Sequence, residues 1–292
     1  MDFEPLSLKH KPLIDAAYLH SARASADSTF VNLWLWRFAR EITVATHGDL
    51  VLIREQIEGK TPQFLMPFGS GVLRGAVDWL IAKTQGEGYP LGFKALSQTD
   101  KTTLETAYPD KFVFVHTDAH DDYLYDCSLM ISLAGRNLHP KKNFVNRFEA
   151  IYGINYERLS RENLAESIEF IDRWFERAPY NAEAEHKGVV ELLSDFERFA
   201  CSYGLLRAEG AIAGLTVGEA LTEDSVVIHI EKADGTNYPG SYQTINQVHL
   251  AREYSNMKIV NREEDLGLEG LRKAKHSYHP IGFCKKYEAT LR

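Results

Sequence analysis

Two carboxylates and one phenol are the residues of this chain best suited to moving protons. Glu219 stands at the end of a strand-like run and Glu231 lies inside the next one, where a carboxylate can accept a proton; Tyr278 can supply one to a departing oxygen. His229 and Glu231 alternate with Ile228 and Ile230, so a strand there would show a polar face and an apolar face. An ordinary half-buried strand has the same pattern, and both readings stand at this point. Cations gather in two places. Arg136, Lys141, Lys142 and Asn143 surround Pro140, which favours the first turn of a helix. Lysines in a first turn oppose the helix dipole unless an anion sits there, so a phosphate or carboxylate site and a solvated basic face are the alternatives. Asn261, Arg262, Glu263 and Glu264 then lead into a glycine-bracketed turn, followed by Lys273 and Lys275. A third group, His116, Asp118, His120 and Asp122, alternates along VHTDAHDDY; its donors suit a divalent metal, although no separated histidine or carboxylate motif completes a site.

Elements of mixed type must position these groups. Leu50–Arg54, Gln63–Phe68 and Phe112–His116 are strand-like, and Val72–Thr84 has helical periodicity with Leu73, Val77, Leu80 and Ile81 on one face. Further along, residues 189–200 follow a helical period. Three strands, 205–208, 211–219 and 226–233, come next, with a hairpin turn at Glu209-Gly210, then a helix over 241–254 and a short strand at 258–261. A helix begins near Pro140, and another covers 268–276.

The totals bound the function classes. With 292 residues the chain is long enough for two domains, and 44% hydrophobic with 25% charged residues is a globular composition. A net charge of -8 argues against a broad nucleic-acid surface and concentrates any phosphate binding in a few places. Three cysteines, Cys127, Cys201 and Cys284, show no metal spacing and read as reduced thiols of a cytoplasmic protein. The charged N-terminus is unlike a signal sequence. No apolar run approaches the roughly 20 residues of a membrane span, so stable membrane insertion is not expected.

Two blocks, SLAGRNLHPKKNFVNRF at 132–148 and NREEDLGLEGLRKAKHSYHP at 261–280, resemble the signature segments of a bacterial family of uncharacterised proteins related to the C-terminal domain of phosphatidylglycerol lysyltransferase. The resemblance implies an α+β architecture of two tandem domains of the GCN5-related acyltransferase (GNAT) fold, as in Fem-type aminoacyltransferases. The expected division is residues 1–134 and 135–292. By the same resemblance Gly270-Leu271-Arg272-Lys273-Ala274-Lys275 is similar to a segment beside the Fem-type substrate cleft, which makes Lys273 or Lys275 a ligand for a donor's phosphate or carboxylate. Coenzyme A-dependent members of the superfold use a Q/R-x-x-G-x-G/A loop; here the turn is Asp234-Gly235-Thr236-Asn237-Tyr238-Pro239-Gly240, so coenzyme A is poorly supported and aminoacyl-tRNA is the donor the resemblance favours. The expected function is aminoacyl or acyl transfer to an amine or hydroxyl. A non-catalytic protein binding tRNA or a phosphorylated metabolite is the alternative, and a metal-dependent hydrolase the third reading.

Overall fold

A computed structural model of the chain describes residues 2–21, 25–178 and 182–292. The chain divides into two compact units, residues 1–122 with 284–292, and residues 123–283. The division therefore falls at Asp122/Tyr123 rather than after residue 134, and the last nine residues return to the first unit.

The first unit contains, in order, β1 (Glu4–Pro5), α1 (Lys11–Ser21), α2 (Phe30–Trp36), β2 (Glu41–His47), β3 (Leu50–Gln56), β4 (Gln63–Phe64), β5 (Phe68–Gly69), α3 (Leu73–Gly86), β6 (Gly92–Leu96), α4 (Gln98–Ala107) and β7 (Phe112–His116). Phe30–Trp36, within the apolar segment FVNLWLWRF, is a short helix started by the Thr29 hydroxyl, which accepts from the Asn32 amide. The expected strand over 63–68 is two short ones instead. Pro67 has no N–H to give to a ladder and separates them. α3 begins and ends within two residues of the expected bounds and sets Ala76, Val77 and Leu80 against Leu52, Phe64, Phe93 and Leu96 of the sheet.

The second unit continues with β8 (Asp122–Asp126), α5 (Cys127–Ser132), α6 (His139–Tyr152), β9 (Asn155–Arg158), α7 (Leu164–Glu176), α8 (Glu183–Ser194), β10 (Cys201–Ala208), β11 (Ala211–Ala220), β12 (Ser225–Ala233), α9 (Ser241–Glu253), β13 (Ile259–Asn261), α10 (Glu269–His276) and β14 (Gly282–Cys284); β15 (Tyr287–Leu291) closes the chain. The helical period at 189–200 stops at Ser194, and a tight turn at 196–198 precedes β10. Glu209 and Gly210 both have positive φ, 53° and 85°, the backbone of a primed turn whose twist matches the flanking strands.

The first sheet runs β1-β2-β3-β4-β6-β15-β7, with β5 also paired to β3; the second runs β14-β8-β13-β12-β11-β10-β9. β15 lies antiparallel to both β6 and β7. Lys286, just before it, anchors the return: its ammonium lies 2.8 Å from Asp27 and 2.6 Å from Asp122. Burial alone would raise the Asp27 carboxyl, but the Lys286 charge holds it well below the ordinary range. Among the described residues no helix is long and apolar enough to cross a membrane.

Candidate functional site

β12 and β13 run parallel and pair only over Ser225↔Ile259, Val226↔Val260 and Val227↔Asn261. β13 then ends, while β12 continues to Ala233, so the two strands part. On its other side β12 pairs with β11, and the register moves from Val217↔Ile230 to Gly218↔Ile228. His229 is the extra residue of this bulge and has no partner across the ladder. The regular alternation expected over Ile228–Glu231 is therefore broken at His229, and bulges of this kind re-aim a side chain.

The bulged imidazole lies between two carboxylates. Its Nε2 is 2.9 Å from Glu219 and its Nδ1 is 2.9 Å from Glu263. Burial by itself would depress its pKa; the hydrogen bonds and charges of Glu219 and Glu263 overcome that and raise it to about 9. At neutral pH the ring is an imidazolium donating from both nitrogens.

Beside it, Arg262 donates from Nη2 to Glu231 at 2.7 Å, and Asn246 of α9 donates to the other oxygen of Glu231 at 2.6 Å. The guanidinium lies 4.9 Å from the Tyr278 ring centroid and 5.8 Å from that of Tyr125. Its Nη1 is buried and makes no hydrogen bond among the described residues. Lys141 points at the same tyrosine, 4.6 Å from the ring centroid. Burial, helped by the Arg262 charge, lowers the Lys141 pKa. Burial also raises the Tyr278 phenol well above its usual value, although Arg262 pulls the other way. A cavity of about 350 Å3 opens beside Tyr125 and Tyr278, with Arg136 on its wall.

α9 sets the position of Asn246. Its His249 meets Tyr156 at 2.9 Å through Nδ1 and Ser202 at 3.0 Å through Nε2, while Gly204 and Gly218 leave room for the ring. Burial lowers the His249 pKa to about 4, so the ring is neutral and can accept from Ser202.

The expected site residues thus separate. Glu219, Glu231, Arg262, Glu263, Tyr278, Lys141 and Arg136 gather around the parted strands and the adjoining cavity. Lys142 and Asn143 face outward, Asn143 against His139 at 3.4 Å. Lys275 is a correction: its buried ammonium donates to the backbone carbonyls of Arg262, Glu263 and Glu264, the last two at 2.9 and 2.7 Å, so its hydrogens hold the loop and not a ligand. Lys273 is exposed and pairs with Glu269 one turn away. The Asn261 side chain accepts from the Glu263 amide at 2.7 Å, and Asp265 accepts from Tyr123, Gly267 and Arg272. These bonds hold Glu263 and Leu266 in left-handed backbone, at φ 55° and 54°. Asn246 and Tyr125 were not among the expected residues, because nothing in their local patterns differs from a buried helix face or a strand.

The alternating row in the first unit is also rearranged. A tight turn over 118–120 breaks the extended segment, and Asp121 joins His116 in place of His120 and Asp122. Asp118 lies 3.5 Å from Nδ1 of His116, and Asp121 lies 2.9 Å from Nε2. The two carboxylates pair with opposite nitrogens of the ring, and one donor atom from each of His116, Asp118 and Asp121 lies within 4.8 Å of the others, a spacing compatible with a metal ion.

The family described as phosphatidylglycerol lysyltransferase, C-terminal, matches residues 20–290. The chain belongs to this family. A protein of unknown function from Bacteroides thetaiotaomicron is 29% identical with a TM-score of 0.93, each chain covered completely. L-PGS from Bacillus licheniformis shares the fold at 14% identity and TM-score 0.69, over 99% of this chain and 92% of that one. A tandem GNAT protein from the clavulanic acid biosynthesis pathway does so at 12% and 0.52, over 99% and 98%. The architecture is that of two GNAT-like domains in tandem. An uncharacterised protein of Mycoplasmoides gallisepticum is 27% identical over 178 residues; the match spans 58% of this chain and 56% of that relative's length.

Proposed function

We propose that this family member transfers an aminoacyl group from a phosphate-bearing donor, an aminoacyl-tRNA, to an amine or hydroxyl acceptor between the parted strands β12 and β13. The observation that carries the reading is Arg262: one nitrogen is committed to Glu231, and a second is buried without a hydrogen-bond partner among the described residues, while the guanidinium and the Lys141 ammonium lie 4.9 and 4.6 Å from the Tyr278 ring centroid. A buried donor left unpaired is costly, and an oxygen of the reacting group satisfies it. In transfer, the acceptor attacks the aminoacyl carbonyl carbon and its oxygen gains charge, which Arg262 stabilises through Nη1. The acceptor's proton passes to Glu231. The bond to the donor ribose then breaks, and the Tyr278 hydroxyl protonates the leaving oxygen and is reprotonated from solvent. Arg136 and Lys141 hold donor phosphate. Membership of a family named for lysyl transfer supports the same class of chemistry.

One observation favours a second reading, a binding protein: Glu231 and Glu219 are each already engaged, by Arg262 with Asn246 and by His229. Purified protein incubated with a panel of charged tRNAs and amine or hydroxyl acceptors, followed by mass spectrometry, decides between them. Transfer that Glu231→Gln abolishes while donor binding persists supports the enzyme, since a proton acceptor acts in the transition state. Donor binding without transfer in wild type supports the binding protein.

A further inference from the structure

Along the edge of α7, between its buried face and solvent, Phe170, Arg173, Trp174 and, just past the helix end, Arg177 and Ala178 form a helical stripe. Phe170 is buried and Trp174 half-buried, whereas Arg173 and Arg177, one turn apart, stand at the solvent side of the stripe. The stripe forms one wall of a cavity of about 440 Å3, closed elsewhere by Tyr238, Tyr242 and the Asp234–Asn237 turn. None of its residues belongs to the Glu231 and His229 cluster. The aromatic wall is fixed in place: the Trp174 indole donates to the Tyr242 hydroxyl at 3.0 Å, and the Lys232 ammonium lies 4.0 Å from its ring centroid.

Cations are favoured at the C-terminal end of a helix, which accounts for Arg173 on the last turn of α7 and Arg177 at its C-cap but not for both bordering the cavity. Nor are they held firmly. Arg173 meets Glu169 at 3.2 Å and Arg177 meets Asp234 at 3.5 Å, with both guanidiniums about half exposed or more. The Asp234 carboxylate already accepts two bonds from Asn237, at 3.0 and 2.7 Å, so an anion can displace it from Arg177. Two guanidiniums one turn apart suit a phosphate dianion, which accepts from both forks. The rings beside them suit a flat heteroaromatic base. The volume is in the range of small-ligand sites.

We propose that this cavity is a second ligand site, for a nucleoside monophosphate, with the phosphate on Arg173 and Arg177 and the base against Trp174 and Tyr238. The probe is AMP, with affinity read by calorimetry and location by tryptophan fluorescence. AMP should bind saturably and quench a signal that Trp174→Phe removes. Adenosine and inorganic phosphate should each bind at least about tenfold more weakly than AMP, because each makes half of the contacts. The Arg173→Ala, Arg177→Ala double variant should lose at least about tenfold in AMP affinity with an unchanged melting temperature. Competition by the trinucleotide CCA distinguishes the source: displacement of AMP at lower concentration assigns the site to an RNA terminus, and failure to displace assigns it to a free mononucleotide. Equal AMP affinity in wild type and the double variant overturns the proposal. So do inorganic phosphate binding as tightly as AMP, or quenching that survives Trp174→Phe. Transfer activity takes no part in this test, so failure here leaves the reading of the Glu231 site where it stands.

Discussion

His229 offers a quantitative test of the cluster between the parted strands, because its charge is set by two named neighbours. Holding its pKa at about 9 in place of 6.5 corresponds to about 3 kcal/mol of coupling between the imidazolium and the folded state. The sign follows from the direction of the shift. Below pH 6.5 the ring is protonated in both the folded and the unfolded chain, and the coupling is fully present. As pH rises from 6.5 through 9 the folded state must keep a proton that the unfolded chain has released, and the contribution is lost. His229→Gln cannot titrate, so the stability gap between wild type and variant should narrow by about 3 kcal/mol across that window. Urea unfolding of both proteins at intervals from about pH 6 to 10 measures the gap, and taking the difference cancels the other titrating groups. Nuclear magnetic resonance of ring-labelled histidine gives the titration directly. A gap that stays constant through the window, or a His229 resonance titrating at or below 6.5, refutes the bridging role of Glu219 and Glu263.

The two terminal lysines should behave oppositely. Lys275→Met leaves three loop carbonyls without their donor and should cost roughly 3 kcal/mol or more by chemical denaturation, whereas Lys273→Ala at an exposed pair should stay within about 0.5 kcal/mol. Lys286→Met removes the cation between Asp27 and Asp122 and should cost about 3–5 kcal/mol, seen as a lowered urea midpoint. Gly204→Ala would set a methyl 2.5 Å from Nδ1 of His249 and 2.7 Å from the Tyr156 ring; overpacking of about 1–3 kcal/mol is expected, and an unchanged melting temperature would show that α9 yields there.

Much of the local structure is legible from the residues alone. The primed hairpin at Glu209-Gly210, the strand over 226–233, the helix over 241–254 and the amphipathic face of α3 follow from turn chemistry and from periods of 2 and 3.6, which act over a few neighbouring residues. The two blocks at 132–148 and 261–280 carry the family resemblance, and through it the tandem acyltransferase-like fold. The residue types of the candidate site are equally visible, since Glu219, Glu231, Arg262 and Tyr278 are chemically conspicuous wherever they fall.

Which of those groups meet was decided only in three dimensions. A period of 2 tells a strand which faces it has, not which strand lies beside it. Tyr287–Leu291 therefore gives no local sign that it will insert between β6 and β7, some 170 residues or more before it in the chain. The bulge at His229 is a property of the β11–β12 register and cannot be read from either strand alone. Lys273 and Lys275 look alike in sequence, yet one turn-wise difference in direction on α10 sends Lys273 into solvent and Lys275 under three carbonyls. The physical reason is common to all three cases. Local pattern sets backbone conformation and the burial of a face, while the partner of a buried polar group is whatever the rest of the chain brings within about 3 Å of it.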